Sequence, residues 1–305
     1  ITGQTRYVDG GLSLCRGGAM TEELVRHLEA VTLRCGKWTA QVSPRYGMNT
    51  LALCWNGRAV LRSPGSLEEF LHLPEGYGTP PLLPANRTKD GTFEFESRRY
   101  TLPINDRFHT HKHGYVHTSA FAVTSRSEST VEGILENHGE IYPFPFRMTV
   151  CTALEEDGLH QKYTLTNIGK GNMPVIFAIH AAFAAPERCR IPVETVWLTD
   201  ERCLPTMELG SLPEELKPYT VGEIRGDTPV GYCCPAVGLA AELDDMVYEV
   251  SSQFTQWIVW NGNGCEGFLC VEPQTAPSNV LCRPGEAMVV RPGESVVFSA
   301  QIYRK

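Results

Sequence analysis

Apolar and polar residues alternate along most of the chain in short segments that tight turns separate. Residues 31–35 alternate, a Gly-Lys pair follows, and residues 38–43 alternate again, which is typical of a β-hairpin. Two further apolar segments, 49–55 and 58–62, are joined by Asn56-Gly57, the strongest short hairpin signal in a sequence. The pattern therefore predicts antiparallel strands joined by tight turns.

The alternation continues to the C-terminus. It recurs at 92–96, 146–154 and 159–167, and two Pro-Gly-Glu turns at 284–286 and 292–294 flank the last apolar segments. Strands at such close spacing are typical of all-β folds.

Helical signals are confined to two short segments, 21–28 and 66–71. In the second segment, Ser66 and Glu69 have the spacing of a capping box, in which each side chain binds the other residue's backbone. Because strands and helices do not alternate, the pattern excludes a doubly wound parallel sheet.

We therefore predict an all-β protein with little helix. A single large antiparallel sandwich should span residues 30–305, and residues 1–29 should form an N-terminal extension that is weakly ordered or a short helix. A two-domain β arrangement is the alternative.

Charge and cysteine content restrict the function classes. The 305 residues include 35 acidic and 27 basic side chains, for a net charge of −8, which disfavours nucleic acid and anionic membranes as partners. The eleven cysteines form no CxxC pair, and the N-terminus has no signal-peptide pattern, so we expect reduced thiols and a cytoplasmic location. The sequence also has no nucleophile-elbow, P-loop or dinucleotide-binding motif.

Four of the nine histidines lie in one short stretch, and three of them alternate. If this stretch is extended, His109, His111 and His113 share one face of a strand. Such a face suits proton transfer, or a metal site that could include His117 and would resemble a cupin metal box. A cupin-like metal enzyme is therefore one alternative, although the glutamate usual in that box is absent.

Two more ionisable residues lie inside apolar segments. His180 lies in an apolar run at 175–185 that is too short to span a bilayer, and Glu272 lies in a second run at 268–275. Burial would raise the pKa of the Glu272 carboxyl group, and a carboxylate with an imidazole makes a general acid–base pair. The alternatives are a hydrogen-bonded core histidine at 180 and a solvent-facing edge-strand glutamate at 272.

Several segments, taken in order, resemble the aldose 1-epimerase family of galactose mutarotase-like proteins. They are YGTPPLLPANR at 77–87, GTFEF at 91–95, YTLPIN at 100–105, HG at 113–114, YTLTN at 163–167, MPV at 173–175, IHAAF at 179–183 and VEPQT at 271–275. No single segment is very specific, and the resemblance rests on their joint order and spacing over about residues 30–305.

The resemblance implies a β-supersandwich that binds a sugar on a concave face. It implies that Glu272 and His180 are the catalytic base and acid, that His113 and Arg87 bind the substrate, and that His111 lies near the sugar. The implied reaction interconverts the α and β anomers of a small-molecule sugar without a metal or organic cofactor, in a monomer or homodimer. A non-catalytic carbohydrate-binding or regulatory protein on the same fold is the other alternative.

Four positions depart from the pattern of the better-known family members. Ala181 replaces a proline, Lys112 an apolar residue, Tyr115 a glycine, and Gly231 an aspartate that holds sugar hydroxyls. The usual galactose or glucose preference therefore need not hold, and a hexose-6-phosphate 1-epimerase is a close variant. That variant would need a cationic pocket, to which Arg98, Arg99 or Arg107 could contribute.

Overall fold

Strands dominate the computed structural model, which describes residues 20–222, 228–264 and 266–305. In the first half of the chain they are β1 (Val31–Cys35), β2 (Trp38–Ser43), β3 (Asn49–Trp55), β4 (Arg58–Ala59), β5 (Pro81–Leu82), β6 (Arg87–Lys89), β7 (Thr92–Phe95), β8 (Arg98–Thr101), β9 (Thr110–Lys112), β10 (Ala122–Arg126), β11 (Thr130–Asn137), β12 (Phe146–Leu154) and β13 (Gly158–Asn167).

The second half of the chain continues in the same way. Its strands are β14 (Met173–Val175), β15 (Ala178–Ile179), β16 (Ala182–Ala184), β17 (Cys189–Arg190), β18 (Thr195–Thr199), β19 (Pro205–Ser211), β20 (Gly231–Pro235), β21 (Ala240–Leu243), β22 (Met246–Val250), β23 (Gln256–Trp260), β24 (Phe268–Gln274), β25 (Met288–Val290) and β26 (Ser295–Arg304). The helices of the described residues are α1 (Glu22–His27), α2 (Leu67–His72) and α3 (Pro218–Val221), with short 3-10 turns at Pro74–Gly76, Val116–Thr118 and Val280–Cys282.

Two large antiparallel sheets form the sandwich. One has eight strands in the order β10, β11, β12, β13, β26, β22, β21 and β17. The other has the order β20, β23, β24, β15 and β5, with β16 also paired to β24. The all-β prediction is confirmed.

Aromatic rings from both sheets meet in the core between them. Phe177, which precedes β15, lies 4.5 Å from the ring of Phe298 on β26 and 5.4 Å from that of Tyr163 on β13. Tyr248 on β22 and Trp257 on β23 meet in the same way, 5.9 Å apart. Burying such large apolar surfaces supplies most of the stabilisation that keeps the sheets together.

The local predictions at the start of the chain hold closely. Strands β1 and β2 form the first hairpin and β3 and β4 the second, with Asn56 in the left-handed conformation that its turn requires. Helix α2 is capped as expected, because the backbone N–H of Glu69 donates to Ser66 Oγ at 3.1 Å.

The N-terminal extension is described only from residue 20, and the predicted weak order of residues 1–19 lies outside the described residues. Helix α1 begins after Thr21, whose side chain caps it. Leu24 of this helix and Leu28, which directly follows it, pack with Leu51 and Phe70, so this part of the extension joins the body of the protein.

Two further observations concern the expected cytoplasmic location and the expected reduced thiols. None of the helices among the described residues is long and apolar enough to cross a membrane. Eight cysteines of the described residues are free, but Cys54 is disulfide-bonded, so the prediction of uniformly reduced thiols is wrong at that position.

Candidate functional site

Strand register brings His180 and Glu272 together. Strands β15 and β16 both pair with β24, with Ala178 opposite Gln274 and Ala182 opposite Cys270. His180 lies midway between β15 and β16 and therefore faces Glu272 across the sheet. Its Nε2 atom lies 3.2 Å from Glu272 Oε1.

Both side chains are almost fully buried. Glu272 is 3% exposed and His180 4%, because β24 lies inside the sheet and is buried along its whole length. The alternative of a solvent-facing edge-strand glutamate is therefore wrong. A carboxyl group in such surroundings has to be neutral or closely paired.

Burial shifts the two pKa values in opposite directions. It raises the pKa of Glu272 to about 8, although the positive charge of Lys112 opposes the rise. It lowers the pKa of His180 to about 3, although the negative charge of Glu75 opposes the fall. At neutral pH the pair therefore holds one proton, with Glu272 protonated and His180 neutral.

The pair lies on the floor of a cavity of about 290 Å³. Cys233, Ile258 and Glu272 lie opposite one another across β20, β23 and β24 and form a row along this floor. The indole of Trp260 adds an apolar wall, with its ring perpendicular to that of His180 at 5.9 Å. An apolar floor with a few converging polar groups is typical of a small-molecule site.

Arg87 and Lys112 form one side of the cavity. They lie directly opposite each other in the β6–β9 ladder, so their side chains leave the same face of that ladder. Arg87 donates from Nε to Asp106 Oδ2 at 2.7 Å, and Lys112 Nζ lies 3.4 Å from Glu75 Oε1. These ion pairs hold both cations at the cavity wall.

His113 reaches the cavity through a local change of backbone direction. It has a φ of 66° and is followed by Gly114 at 60°, both in the left-handed region. A Cβ atom at Gly114 would lie 2.0 Å from the Leu83 carbonyl oxygen, so only glycine fits there. The His113 ring lies 5.4 Å from that of His180, and burial lowers its pKa well below the ordinary value.

His111 is the predicted site residue that the structure does not bring to the cavity. It lies opposite Thr88 in the β6–β9 ladder and so faces the other way from Lys112. Its side chain is fully buried, and Nδ1 lies 2.7 Å from the Pro103 carbonyl oxygen. His111 therefore supports the strand and does not line the pocket.

The predicted face of alternating histidines does not form. His109 has a φ of 55° and an exposed side chain that pairs with Asp90, and only residues 110–112 are extended. His117 is buried in a 3-10 turn, where burial lowers its pKa to about 4.

Two clusters of possible metal ligands occur among the described residues, and neither contains a histidine of that stretch. One is an exposed turn, Glu155, Asp157 and His160, and the other joins Cys270 to the buried His180–Glu272 pair. Burial, with the nearby Glu272, raises the pKa of the Cys270 thiol well above its ordinary value. Thiolate is the form that binds metal, so a metal ion here would have to displace the proton of a buried thiol.

A β-hairpin contributes a further part of the cavity lining. Thr199, Cys203 and Pro205, around the turn between β18 and β19, line the cavity. Arg202 from this turn donates to the carbonyl oxygens of Phe108 and His109 at 3.0 and 2.6 Å.

The Arg202 guanidinium group therefore joins the two loops at the cavity entrance. It also donates to Asp90 Oδ1 at 2.8 Å, and Arg87 lies over the ring of Phe108, which itself lines the cavity. We infer that Arg202 fixes the shape of this entrance.

We expect Arg202→Ala to loosen the entrance without unfolding the protein. Backbone amides next to Phe108 and His109 should exchange with solvent about tenfold faster, because the lost hydrogen bonds are each worth about 1 kcal/mol net. Hydrogen exchange followed by mass spectrometry measures this. Arg147→Ala, which removes a surface ion pair with Glu136 on the other sheet, is the control. Unchanged exchange in the Arg202 variant would mean that other contacts hold the entrance.

The family model for aldose 1-epimerase matches residues 29–303, so the chain belongs to the aldose 1-epimerase family. The fold agrees with this assignment.

Two solved structures illustrate the fold. A galactose mutarotase-like protein from Clostridium acetobutylicum is 24% identical, with a TM-score of 0.82 over 90% of this chain and 95% of its own. A galactose 1-epimerase from Lactobacillus acidophilus NCFM is 14% identical, with a TM-score of 0.74 over 90% of this chain and 94% of its own. At these identities the likeness shows a galactose mutarotase-like fold.

Sequence reasoning missed several residues that line the cavity. Glu75 lies in a Pro- and Gly-rich segment without a strand or helix pattern, and Trp260 lies at the end of an apolar segment, so the hydrophobic pattern marks neither of them as a site residue. The sequence gives one indication of these residues. Lys112 stands where the better-known family members have an apolar residue, but that difference alone does not place it in the site.

Proposed function

We propose that this protein interconverts the α and β anomers of an aldose by acid–base ring opening and closure. The observation that carries the proposal is the buried His180–Glu272 pair, whose Nε2 and Oε1 atoms lie 3.2 Å apart on the floor of a cavity of about 290 Å³. Membership of the aldose 1-epimerase family supports it.

The reaction needs only two proton movements. Glu272 as a carboxylate takes the proton from the C1 hydroxyl, and His180 as an imidazolium gives one to the ring oxygen. The ring opens, the C1–C2 bond rotates, and closure on the other face of the aldehyde gives the other anomer. Each positioned group supplies about 10²–10⁴-fold in rate.

The charges in the wall act on both members of the pair. The proton must move from Glu272 to His180 before the sugar reacts, which leaves a buried carboxylate beside an imidazolium. Lys112 and Arg87 lower the pKa of Glu272 and so stabilise the carboxylate. Glu75 raises the pKa of His180 and so stabilises the imidazolium, although Lys112 opposes this. Arg87, oriented by Asp106, and His113 are placed to hydrogen-bond the sugar oxygens.

One observation favours a phosphorylated sugar as the substrate. Of the three arginines that could serve it, only Arg107 lines the cavity, and Arg98 and Arg99 lie on the exposed strand β8. Arg107 makes no ion pair with any residue in the described ranges. A hexose 6-phosphate is therefore the second candidate substrate.

Anomer-resolved NMR on freshly dissolved D-galactose, D-glucose, D-xylose and D-glucose 6-phosphate tests the proposal. We expect the protein at catalytic concentration to speed the exchange of at least one sugar well above the buffer rate. Binding of these sugars without faster exchange would instead establish a non-catalytic carbohydrate-binding protein.

A further inference from the structure

Glu75 is the second carboxylate of the cavity. Among the described lining residues, only Glu75 and Glu272 are acidic. Glu75 lies in the 3-10 turn Pro74–Gly76, far from β24 in sequence, and its side chain is 15% exposed. Arg62 donates from Nη1 to the Gly76 carbonyl oxygen at 3.2 Å and so supports the turn from behind.

Unlike Glu272, Glu75 is ionised at neutral pH. Burial raises its pKa, but the positive charge of Lys112 and its proximity to His180 outweigh this and hold the pKa below the ordinary value. The Lys112 ammonium group lies 3.4 Å from Oε1. A carboxylate has about four acceptor sites on its two oxygens, so one ion pair leaves capacity for further hydrogen bonds.

Glu75 also lies close to the catalytic pair. Its charge is the main influence that raises the pKa of His180 against burial, and it raises the pKa of Glu272 as well. The two carboxylates therefore lie in the same small cavity, one neutral on the floor and one charged in the wall.

The part of the cavity lining that β20 contributes, Gly231, Tyr232 and Cys233, has no charged acceptor. Gly231 occupies the position where the family pattern has a sugar-holding aspartate, and it lines the cavity. A Cβ atom there would meet nothing closer than Trp260 Cδ1 at 3.7 Å, so space does not demand a glycine. The missing acceptor is thus a difference in chemistry and not a steric necessity.

We propose that Glu75, held in place by Lys112, accepts hydrogen bonds from sugar ring hydroxyls and selects which aldose this protein binds. Glu75 thereby supplies from the 74–76 turn the charged acceptor that Gly231 does not. The inference rests on the proposed function for its ligand class, an aldose with free ring hydroxyls. Hydrogen bonds to a charged acceptor discriminate strongly, because a sugar lacking the hydroxyl leaves the carboxylate unpaired.

The test is Glu75→Gln, which keeps the shape and removes the charge, with Glu68→Gln as the matched control on the exposed face of α2. We expect KM for the best aldose of the NMR panel to rise about tenfold in Glu75→Gln, in addition to any fall in kcat that follows from the lost negative charge near His180. Glu68→Gln should match wild type, and Glu75→Asp, which keeps a carboxylate, should recover part of the loss. Melting curves of each variant confirm that it is folded.

Deoxy analogues of that sugar give a readout that a merely structural role would not produce. One sugar hydroxyl should donate the hydrogen bond that Glu75 accepts. A deoxy sugar that lacks this hydroxyl should bind wild type more weakly than the parent sugar does, but it should bind Glu75→Gln almost as well as the parent sugar does. Equal losses for every deoxy sugar in both proteins, or a KM for Glu75→Gln within twofold of wild type, would overturn the proposal.

Failure of the inference and failure of the proposed function give different results. If wild type binds the sugars without speeding anomer exchange, catalysis is refuted, and dissociation constants from NMR titration decide the role of Glu75 in the same way. If wild type neither binds nor converts any sugar of the panel, both proposals fall.

Discussion

Glu272→Gln is expected to lower the kcat of anomer exchange by about 10²–10⁴-fold while the protein stays folded. The amide keeps the size of the side chain and resembles the neutral carboxyl group that burial favours at this position. It cannot take a proton from the C1 hydroxyl, so the chemical step loses its base. Polarimetry at saturating sugar measures the loss.

Glu249→Gln is the matched control. Glu249 lies on β22 and accepts a hydrogen bond from Tyr303 at 2.9 Å, in the sheet that does not carry the site. It should leave kcat unchanged. His180→Asn should be slowed about as much as Glu272→Gln, and the double variant should be little slower than either one, because the two groups act as a unit. Full activity in both single variants would refute the assignment.

The second large effect concerns pH. The pair holds one proton between the pKa of His180, at about 3, and that of Glu272, at about 8. We expect kcat/KM to stay flat through neutral pH and to fall above about pH 8, where the pair loses this proton. An isolated carboxylate and imidazole with ordinary pKa values would instead confine activity to about pH 4–6.5. The profile of kcat/KM against pH separates the two cases.

The thermal stability of the protein should also depend on the titration of Glu272. The pKa of Glu272 is higher in the folded protein than in the unfolded chain, so its contribution is fully present below the unfolded pKa. That contribution is lost as the pH rises through about 8. Wild type should therefore melt at a lower temperature at pH 9 than at pH 7, and Glu272→Gln should show a smaller decrease. Equal decreases would show that Glu272 is not protonated in the folded state.

Much of the fold follows from local sequence. The β1–β2 and β3–β4 hairpins form where predicted because their turns are encoded by adjacent residues. The His180–Glu272 pair is different, since its two members lie on segments 92 positions apart. The sequence marks each as a buried ionisable group, but their contact depends on how β15, β16 and β24 align, which no local pattern records.

The histidine stretch at 109–117 is a second place where the local sequence pattern does not predict the structure. Alternation predicts His109, His111 and His113 on one face, but left-handed conformations at 109 and 113 interrupt the strand. Non-glycine residues seldom adopt that conformation, and although histidine does so more often than most, the alternation of residues along the chain does not indicate it. As a result Lys112 and His113 both reach the cavity, and His111 faces away from it.

The 3.2 Å contact between His180 and Glu272 also sets a limit on affinity. These two buried groups contact each other directly, so a sugar that engages both must first replace that contact. The binding free energy from the sugar's contacts with His180 and Glu272 is thus partly offset by the loss of the contact between these two side chains. Ground-state binding is therefore weaker than the number of sugar hydrogen bonds implies. Weak ground-state binding is an advantage when the concentration of free sugar is high, because it avoids trapping the substrate in a stable complex before the ring opens.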